Sequence, residues 1–585
     1  MKIPGFGGVL IITVAAMLLT GCADDGRDGV DGSNGQNGAD GADGADGANG
    51  ANGNDGRNAR NGRLHQIGRY ESGIFEDGGA EIVAYDAGTM RLFVVNASDN
   101  SIDVLDITNP SQPEKLNTID VAAQDSASFT SGGANSVAVK NGILAVAVEA
   151  DVKQDNGRVY FYNTDTLAFI HGVTVGALPD MVTFTPDGLR VLSANEAEPS
   201  NDYQLDPEGS VSIINIGAGV ASATVTHASF TAFNGDAATL KASGVRLFGP
   251  NASVAQDLEP EYIAVSSDSS KAYVTLQENN ALAIVDIGTA TVTDIKALSF
   301  KNHNIPGMGL DANRNDKYPN IENLKIYGMY MPDAIASYSF NGKTYLVTAN
   351  EGDGREYIYD ADSATCTGAG HTDLGDGECL AFADETALED LTLDSSKFSA
   401  DEIALLQDGG GIGDLTVSRV DGDADNNGQH EKIYAYGARS FSIWSATGSL
   451  IYDSGDQVEQ IIADTSPLFF NLNNTGNGTD NRSDNKGPEP EGVAIGEVNG
   501  RTYAFVGLER QGGIMVFDIS NPFAPGFVEY VSNRDLSVTP AEGAAAGDLG
   551  PEGLLFVPAS DSPNDKALLI VGNEISGTTT IYEVE

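Results

Sequence analysis

The chain has 585 residues, of which 84 are Asp or Glu and 32 are Lys or Arg, for a formal net charge of −52 at pH 7. A surface that acidic repels nucleic acid and anionic lipid and attracts cations, which excludes a nucleic-acid-binding role. The apolar share of 41% is ordinary for a globular protein, and the six scattered histidines form no zinc-type cluster.

Residues 1–21 read as a lipoprotein signal peptide. Lys2 supplies a positive start, and Val9 to Leu19 form an apolar run too short for a confident membrane span. The run ends in Leu19-Thr20-Gly21-Cys22, which resembles a lipobox, so Cys22 is the expected lipidation site and mature N-terminus. Ala23, where an Asp would favour inner-membrane retention, points to an outer-membrane lipoprotein on its periplasmic or cell-surface side. In residues 22–62, Gly recurs at every third position from Gly26 to Gly56, the period of collagen. Proline is absent, and Asp, Asn and Ala fill the other positions. A flexible acidic tether is therefore expected ahead of a trimeric stalk.

From residue 63 to 585 the pattern becomes short apolar runs separated by Gly, Asn and Asp turns. One unit recurs: an acid, a first strand, a turn, a second strand ending near Asn-Glu, and a third strand. Its starts are Glu81-Ile82, Asn135-Ser136, Pro179-Asp180, Pro260-Glu261, Pro332-Asp333, Pro490-Glu491 and Pro551-Glu552. Seven such units, each too short to bury its own faces, predict an all-β, seven-bladed β-propeller, with eight blades as the alternative. The last unit runs out of chain at Val584, so Leu64 to Tyr70 is expected to close the ring as its fourth strand.

A long, partly helical insertion is expected at about 358–431. Cys366 and Cys379 are predicted to form a disulfide there in an oxidising envelope, and Ser399-x-x-Glu402 is a capping box opening a short helix. Asp414–Val417, Lys432–Tyr436, Ser440–Trp444 and Ser449–Tyr452 read as outer strands of the fifth blade or as a divergent eighth one.

The repeat sets acids at the start of the first strand (Glu81, Asp180, Glu261, Asp333, Glu491, Glu552) and at the end of the second (Glu149, Glu196, Glu278, Glu351, Glu509, Glu574). Antiparallel neighbours put those two positions side by side, around one mouth of the channel. So many carboxylates need raised pKa values or bound cations, and Ca²⁺, which takes 6–8 oxygen ligands, is the cofactor expected. Per-blade packing is the competing role. Asp421, Asp423 and Asp425 alternate as in the start of a calcium loop, although Asn426 and Lys432 depart from the EF-hand pattern. Arg355, Arg439 and Arg510 lie near strand ends on the same face as candidate phosphate contacts, or as neutralisers of adjacent acids. No Gly-x-Ser-x-Gly elbow or phosphate-binding glycine loop is present, so no catalytic residue is assigned.

Four stretches carry a resemblance: Met331–Tyr338, Thr348–Asp353, Gly437–Trp444 and Gly487–Val493. On these the chain resembles the choice-of-anchor I family, whose relatives are labelled mesenchyme-specific cell-surface glycoproteins or atypical alkaline phosphatases. The resemblance implies a surface propeller and makes the Asp421 loop similar to the family's acidic loop, with Asn426-Asn427 a departure. Two functions follow: a calcium-stabilised envelope propeller binding a small-molecule or protein ligand, or a calcium-dependent phosphomonoesterase.

Overall fold

The computed structural model describes residues 61–585. The expected signal peptide, Cys22 and almost all of the expected tether lie outside the described residues. Among the described residues, seven four-stranded antiparallel sheets follow one another. The first is Val83–Asp86, Arg91–Asn96, Ser101–Asp106 and Glu114–Asp120, and the second runs from Ser131–Lys140 to Phe169–Ala177. The third begins at Pro179–Phe184, the fourth at Ile263–Val265, the fifth at Ile335–Phe340, the sixth at Pro490–Val498 and the seventh at Pro551–Val557. Their first strands touch in sequence, and the seventh sheet returns to the first, so the sheets form a ring. This is a β-propeller.

Alternation along each strand explains the ring. Successive side chains leave a strand on opposite faces, so each sheet has two apolar faces to cover. Phe93 and Val95 pack with Leu144 and Val146 of the second blade, whereas Leu92 and Val94 pack with Leu568 and Ile570 of the seventh. Every neighbouring pair of blades has such a core, including Val274 with Leu192, Val506 with Ile443 and Val516 with Leu569. Leu64–Glu71 pairs antiparallel with Thr578–Val584 and completes the seventh blade, as expected from the missing strand.

The insertion differs from its expected bounds and role. The chain leaves the fifth blade after Lys343–Asn350 and returns at Ser440–Ser445, an excursion over 351–439 rather than 358–431. Ser440–Ser445 and Leu450–Asp453 complete the fifth blade. Thr416–Ser418 and Tyr434–Ala435 belong neither to that blade nor to an eighth one. They join Glu385–Ala387, Phe300–Asn302 and Tyr327–Met329 in a separate five-stranded sheet. Its core of Leu310, Ile326, Leu388, Phe398, Leu415 and Ile433 draws on the connection between the fourth and fifth blades as well as on the insertion. A second small sheet, Glu356–Asp360 with Thr372–Gly375 and Glu378–Ala383, holds the Cys366–Cys379 disulfide. The capping box forms: the Ser399 hydroxyl accepts from Glu402 N and the Glu402 carboxylate from Ser399 N, opening the helix Ala400–Leu406.

Candidate functional site

Local backbone geometry delivers the acids to the channel. In the third, sixth and seventh blades the register shifts between Pro179 and Val182, Pro490 and Val493, and Pro551 and Leu554. Asp180, Glu491 and Glu552 each sit inside the resulting bulge, which re-aims a side chain away from the sheet face. Asn135 occupies the same place in the second blade. The residues before these prolines have positive φ, at 44° for Leu178, 54° for Glu489 and 67° for Gly550, and Met331 in the fifth blade has 40°. Left-handed backbone is sterically costly for any side chain. Its recurrence marks the channel mouth as a place where packing overrules local preference. Close approach also dictates the glycines that follow: a Cβ on Gly492 would meet Glu552 O at 2.2 Å, and one on Gly553 would meet Glu81 O at 2.5 Å.

The ends of the second strands are held by the Asn of Asn-Glu. Buried Asn195 donates to Ser210 Oγ at 3.1 Å and Ser212 Oγ at 2.9 Å, Asn350 to Ser440 Oγ and Ser442 Oγ, and Asn573 to Thr578 O. Each Asn thereby ties strand two to strand three and sets the following Glu at the rim. The pairing of Pro179 with Asn195, Pro490 with Leu508 and Pro551 with Asn573 sets Asp180 near Glu196, Glu491 near Glu509, and Glu552 near Glu574. A cavity of about 80 Å³ is lined by Asp180, Asp333 and Glu552 from three different blades, together with Tyr262.

Three groups at the mouth bring carboxylate oxygens within 4.8 Å of one another: Glu81 with Glu552 and Glu574, Glu196 with Glu259 and Glu278, and Glu351 with Glu489 and Glu509. Burial, then repulsion from Glu574 and Asp180, pushes Glu81 up to about 8. Burial, then Glu198 and Glu149, raises Asp180 to about 7. Glu278 rises to about 7 by burial, with Arg355 pulling the other way. Glu196, Glu261, Asp333, Glu491 and Glu552 are held far above the usual carboxylate range by burial and by their acidic neighbours. One oxygen each of Glu261, Glu278, Glu491 and Glu552 is buried without a hydrogen-bond partner. Such a concentration of desolvated acids favours protons or bound cations over free carboxylates.

Glu259 and Glu489 complete two of these groups although neither holds a repeat position expected to carry an acid. Their signal in the sequence is Glu-Pro-Glu, which occurs at 259–261 and again at 489–491.

The three candidate arginines are committed to acids and to backbone oxygens. Arg355 is 4% exposed, donating to Glu259 Oε2 at 2.9 Å, Asp257 Oδ1 at 2.6 Å and Asp257 O at 2.9 Å. Arg439 is 3% exposed and donates to Glu459 and to the backbone oxygens of Asp311, Ser483 and Asn485. Both neutralise buried acids or tie loops, so neither presents a free guanidinium to a phosphate. Arg510 is more open, with a side chain 32% exposed, and lies 2.9 Å from Glu509 and 3.5 Å from Glu489. Two cations absent from the sequence expectation also reach the rim. Lys486 bonds Glu351 at 2.6 Å, and Arg482 donates to Glu489.

The acidic loop is rearranged as well. Asp421 accepts from Arg246 Nε at 2.7 Å and Ser418 Oγ at 3.0 Å, so it is spent on a buried arginine rather than on the loop. Asp423 and Asp425 instead converge with Glu431. Asp423 accepts from Asn427 N and Gly428 N, and Glu431 accepts from Ala424 N, which closes the turn without Asp421.

Among known proteins, the model of the choice-of-anchor I domain matches residues 81–522. Gigasin-3a of Magallana gigas is 33% identical over 184 residues, 30% of this chain and 64% of that protein. The mesenchyme-specific cell surface glycoprotein of Strongylocentrotus purpuratus is 30% identical over 305 residues, 48% of this chain and 36% of that protein. The chain thus spans less than two thirds of either relative. Among solved structures, Kuenenia stuttgartiensis hydrazine synthase aligns over 87% of this chain and 97% of its own, with a TM-score of 0.42 and 11% identity. The Cps50 (Swd1) β-propeller domain of Myceliophteria thermophila aligns over 89% of this chain and all of its own, with a TM-score of 0.41 and 8% identity.

Proposed function

The chain belongs to the choice-of-anchor I family, and from that premise we propose that it is a cell-envelope propeller whose acidic channel mouth binds calcium and presents a surface to a ligand or partner. In this reading Cys22 carries the lipid, the Gly-x-y segment spaces the ring from the outer membrane, and the mouth is the working face. Surface display is supported by the name of the sea-urchin relative and by the lipobox-like start. Among the described residues no helix is long and apolar enough to cross a membrane. The observation that carries the proposal is the convergence of buried and half-buried carboxylates, drawn from most of the blades, on one end of the channel. Ca²⁺ suits such a site because it accepts many oxygens in irregular geometry.

A calcium-dependent phosphomonoesterase is the second reading, and it now rests on Arg510, the one arginine of three left partly open beside the acids. A phosphate site of this kind needs cationic groups converging on one point, and Arg355 and Arg439 are tied up elsewhere. The binding role is therefore the better supported. The test is to strip the full-length protein with chelator and restore Ca²⁺ while following both melting temperature and hydrolysis of a generic phosphomonoester. A rise in melting temperature without turnover is the expected result. Calcium-dependent turnover abolished by Arg510→Met would instead establish the enzyme.

A further inference from the structure

Two of the three-carboxylate clusters occupy equivalent positions two blades apart. Each combines the acid ending the second strand of one blade (Glu196, Glu351) with the acids flanking the next: the first Glu of Glu-Pro-Glu (Glu259, Glu489) and the Glu ending its second strand (Glu278, Glu509). Their shapes match, but their charges do not.

In the Glu351 cluster three protein cations are built in. Lys486 Nζ lies 2.6 Å from Glu351 and 3.3 Å from Glu489, Arg482 is paired with Glu489, and Arg510 Nε lies 2.9 Å from Glu509. Each of the three carboxylates faces a protein cation, although Lys486 Nζ is also 3.5 Å from Asp353, and Glu491, the counterpart of Glu261, keeps one buried oxygen without a partner.

In the Glu196 cluster the one cation paired with a carboxylate, among the described residues, is Arg355, which reaches Glu259 through one oxygen and is shared with Asp257. Glu278 is 7% exposed and its Oε2 has no hydrogen-bond partner. Glu261, just ahead of the first strand and 6% exposed, also keeps Oε2 unpartnered, and Glu278 and Glu196 are the acids that most strongly repel it. Leaving a buried charged oxygen without a partner is expensive. The surrounding backbone is nevertheless fixed. Arg246 donates to Glu278 O at 2.6 Å, while Asn279 accepts from Glu259 N at 3.3 Å and donates to Asp257 O at 2.7 Å. The acids are held in place by groups that do not neutralise them.

We propose that Glu196, Glu259 and Glu278 bind one Ca²⁺ at the seam of the third and fourth blades, in the place that Lys486 takes in the Glu351 cluster. The proposal rests on the calcium-binding reading above and adds which acids at the mouth hold the ion. An all-oxygen set of three carboxylates, with water completing the shell, matches a hard divalent cation, and the absence of nitrogen and sulfur ligands disfavours zinc.

The test uses full-length protein in detergent, stripped with chelator and titrated with Ca²⁺ alone by calorimetry. Glu278→Gln and Glu196→Gln are each expected to lose one calcium equivalent, or to bind it at least about tenfold more weakly. Glu509→Gln is expected to keep it. Without metal, Glu278→Gln is expected to melt above the stripped parent, because it removes an uncompensated buried charge. Calcium binding by Glu278→Gln equal to the parent's overturns the site assignment while leaving the wider calcium reading intact. A Glu278→Gln protein that melts below the stripped parent, or does not fold, also overturns it, since the carboxylate would then be structural. No calcium binding by the parent overturns both readings.

Discussion

Lys486 is 7% exposed and bonds two buried glutamates, which makes it the residue on which the sixth blade's rim depends. Against the penalty of burial, Lys486, Arg482 and Arg510 together pull Glu489 below the usual carboxylate range. Removing one partner of a buried ion pair strands the other, at a cost of about 3–5 kcal/mol. Lys486→Met is expected to lower stability by about that amount in urea denaturation. A loss within about 0.5 kcal/mol, the range of an ordinary surface change, would show that the pairs carry no net weight. At this scale the sequence was informative about kind but not about partners. The repeat singled out the rim acids, because period and turn chemistry are local. That Asp421 belongs to Arg246, 175 positions away, and that Glu431 joins Asp423 and Asp425, follows only from long-range packing.

Among the elements, the small disulfide-held sheet is the most separable. Tyr357 on it packs edge-on against Tyr203 from the loop after the third blade's second strand, and Phe382 stands beside both Tyr203 and Phe248. Cys366 and Cys379 are 13 positions apart, and a crosslink closing a loop of that length restrains the unfolded chain by roughly 3 kcal/mol. Paired Cys366→Ser and Cys379→Ser changes are expected to speed proteolysis within 356–383 while leaving the global melting transition nearly in place, since the blades have their own cores. A large fall in melting temperature would show instead that this sheet buttresses the ring. The capped helix Ala400–Leu406 was legible because Ser399 and Glu402 stand at the right spacing. The helix Gln457–Thr465 was not. It has no side-chain cap, and the burial of Val458 and Ile462 against the cores of the fifth and sixth blades stabilises it.

For the molecule as a whole, the rim acids set the response to pH. Glu81 lies near 8 and Asp180 and Glu278 near 7, each raised chiefly by burial, whereas in an unfolded chain such groups titrate near about 4. Between those values the folded state holds protons that the unfolded chain has released, so its stability is fully present at low pH and is lost as pH rises toward 8. The melting temperature of the chelator-stripped protein is therefore expected to fall from about pH 5 to pH 8, and saturating Ca²⁺, by replacing those protons, is expected to flatten the decline. Scanning calorimetry across that range measures both, and a stripped protein that grows more stable toward pH 8 would contradict this charge balance. Added monovalent salt is expected to raise the melting temperature as well, because it screens the self-repulsion of a chain carrying −52.

Fold class, the repeat, the closing strand and the identity of most rim acids were determined by the sequence itself, because two-residue alternation, turn residues and repeat spacing are written locally and copied from blade to blade. The five-stranded sheet was not. Its strands come from both sides of the fifth blade's first two strands, and only the closing of a shared core around Leu310, Leu388 and Ile433 brings them together. The same holds for the balance of charge at the mouth. The Glu196 and Glu351 clusters look alike in sequence, and what separates them is Lys486, more than 130 residues from Glu351 along the chain, which folding carries to one seam and not to the other.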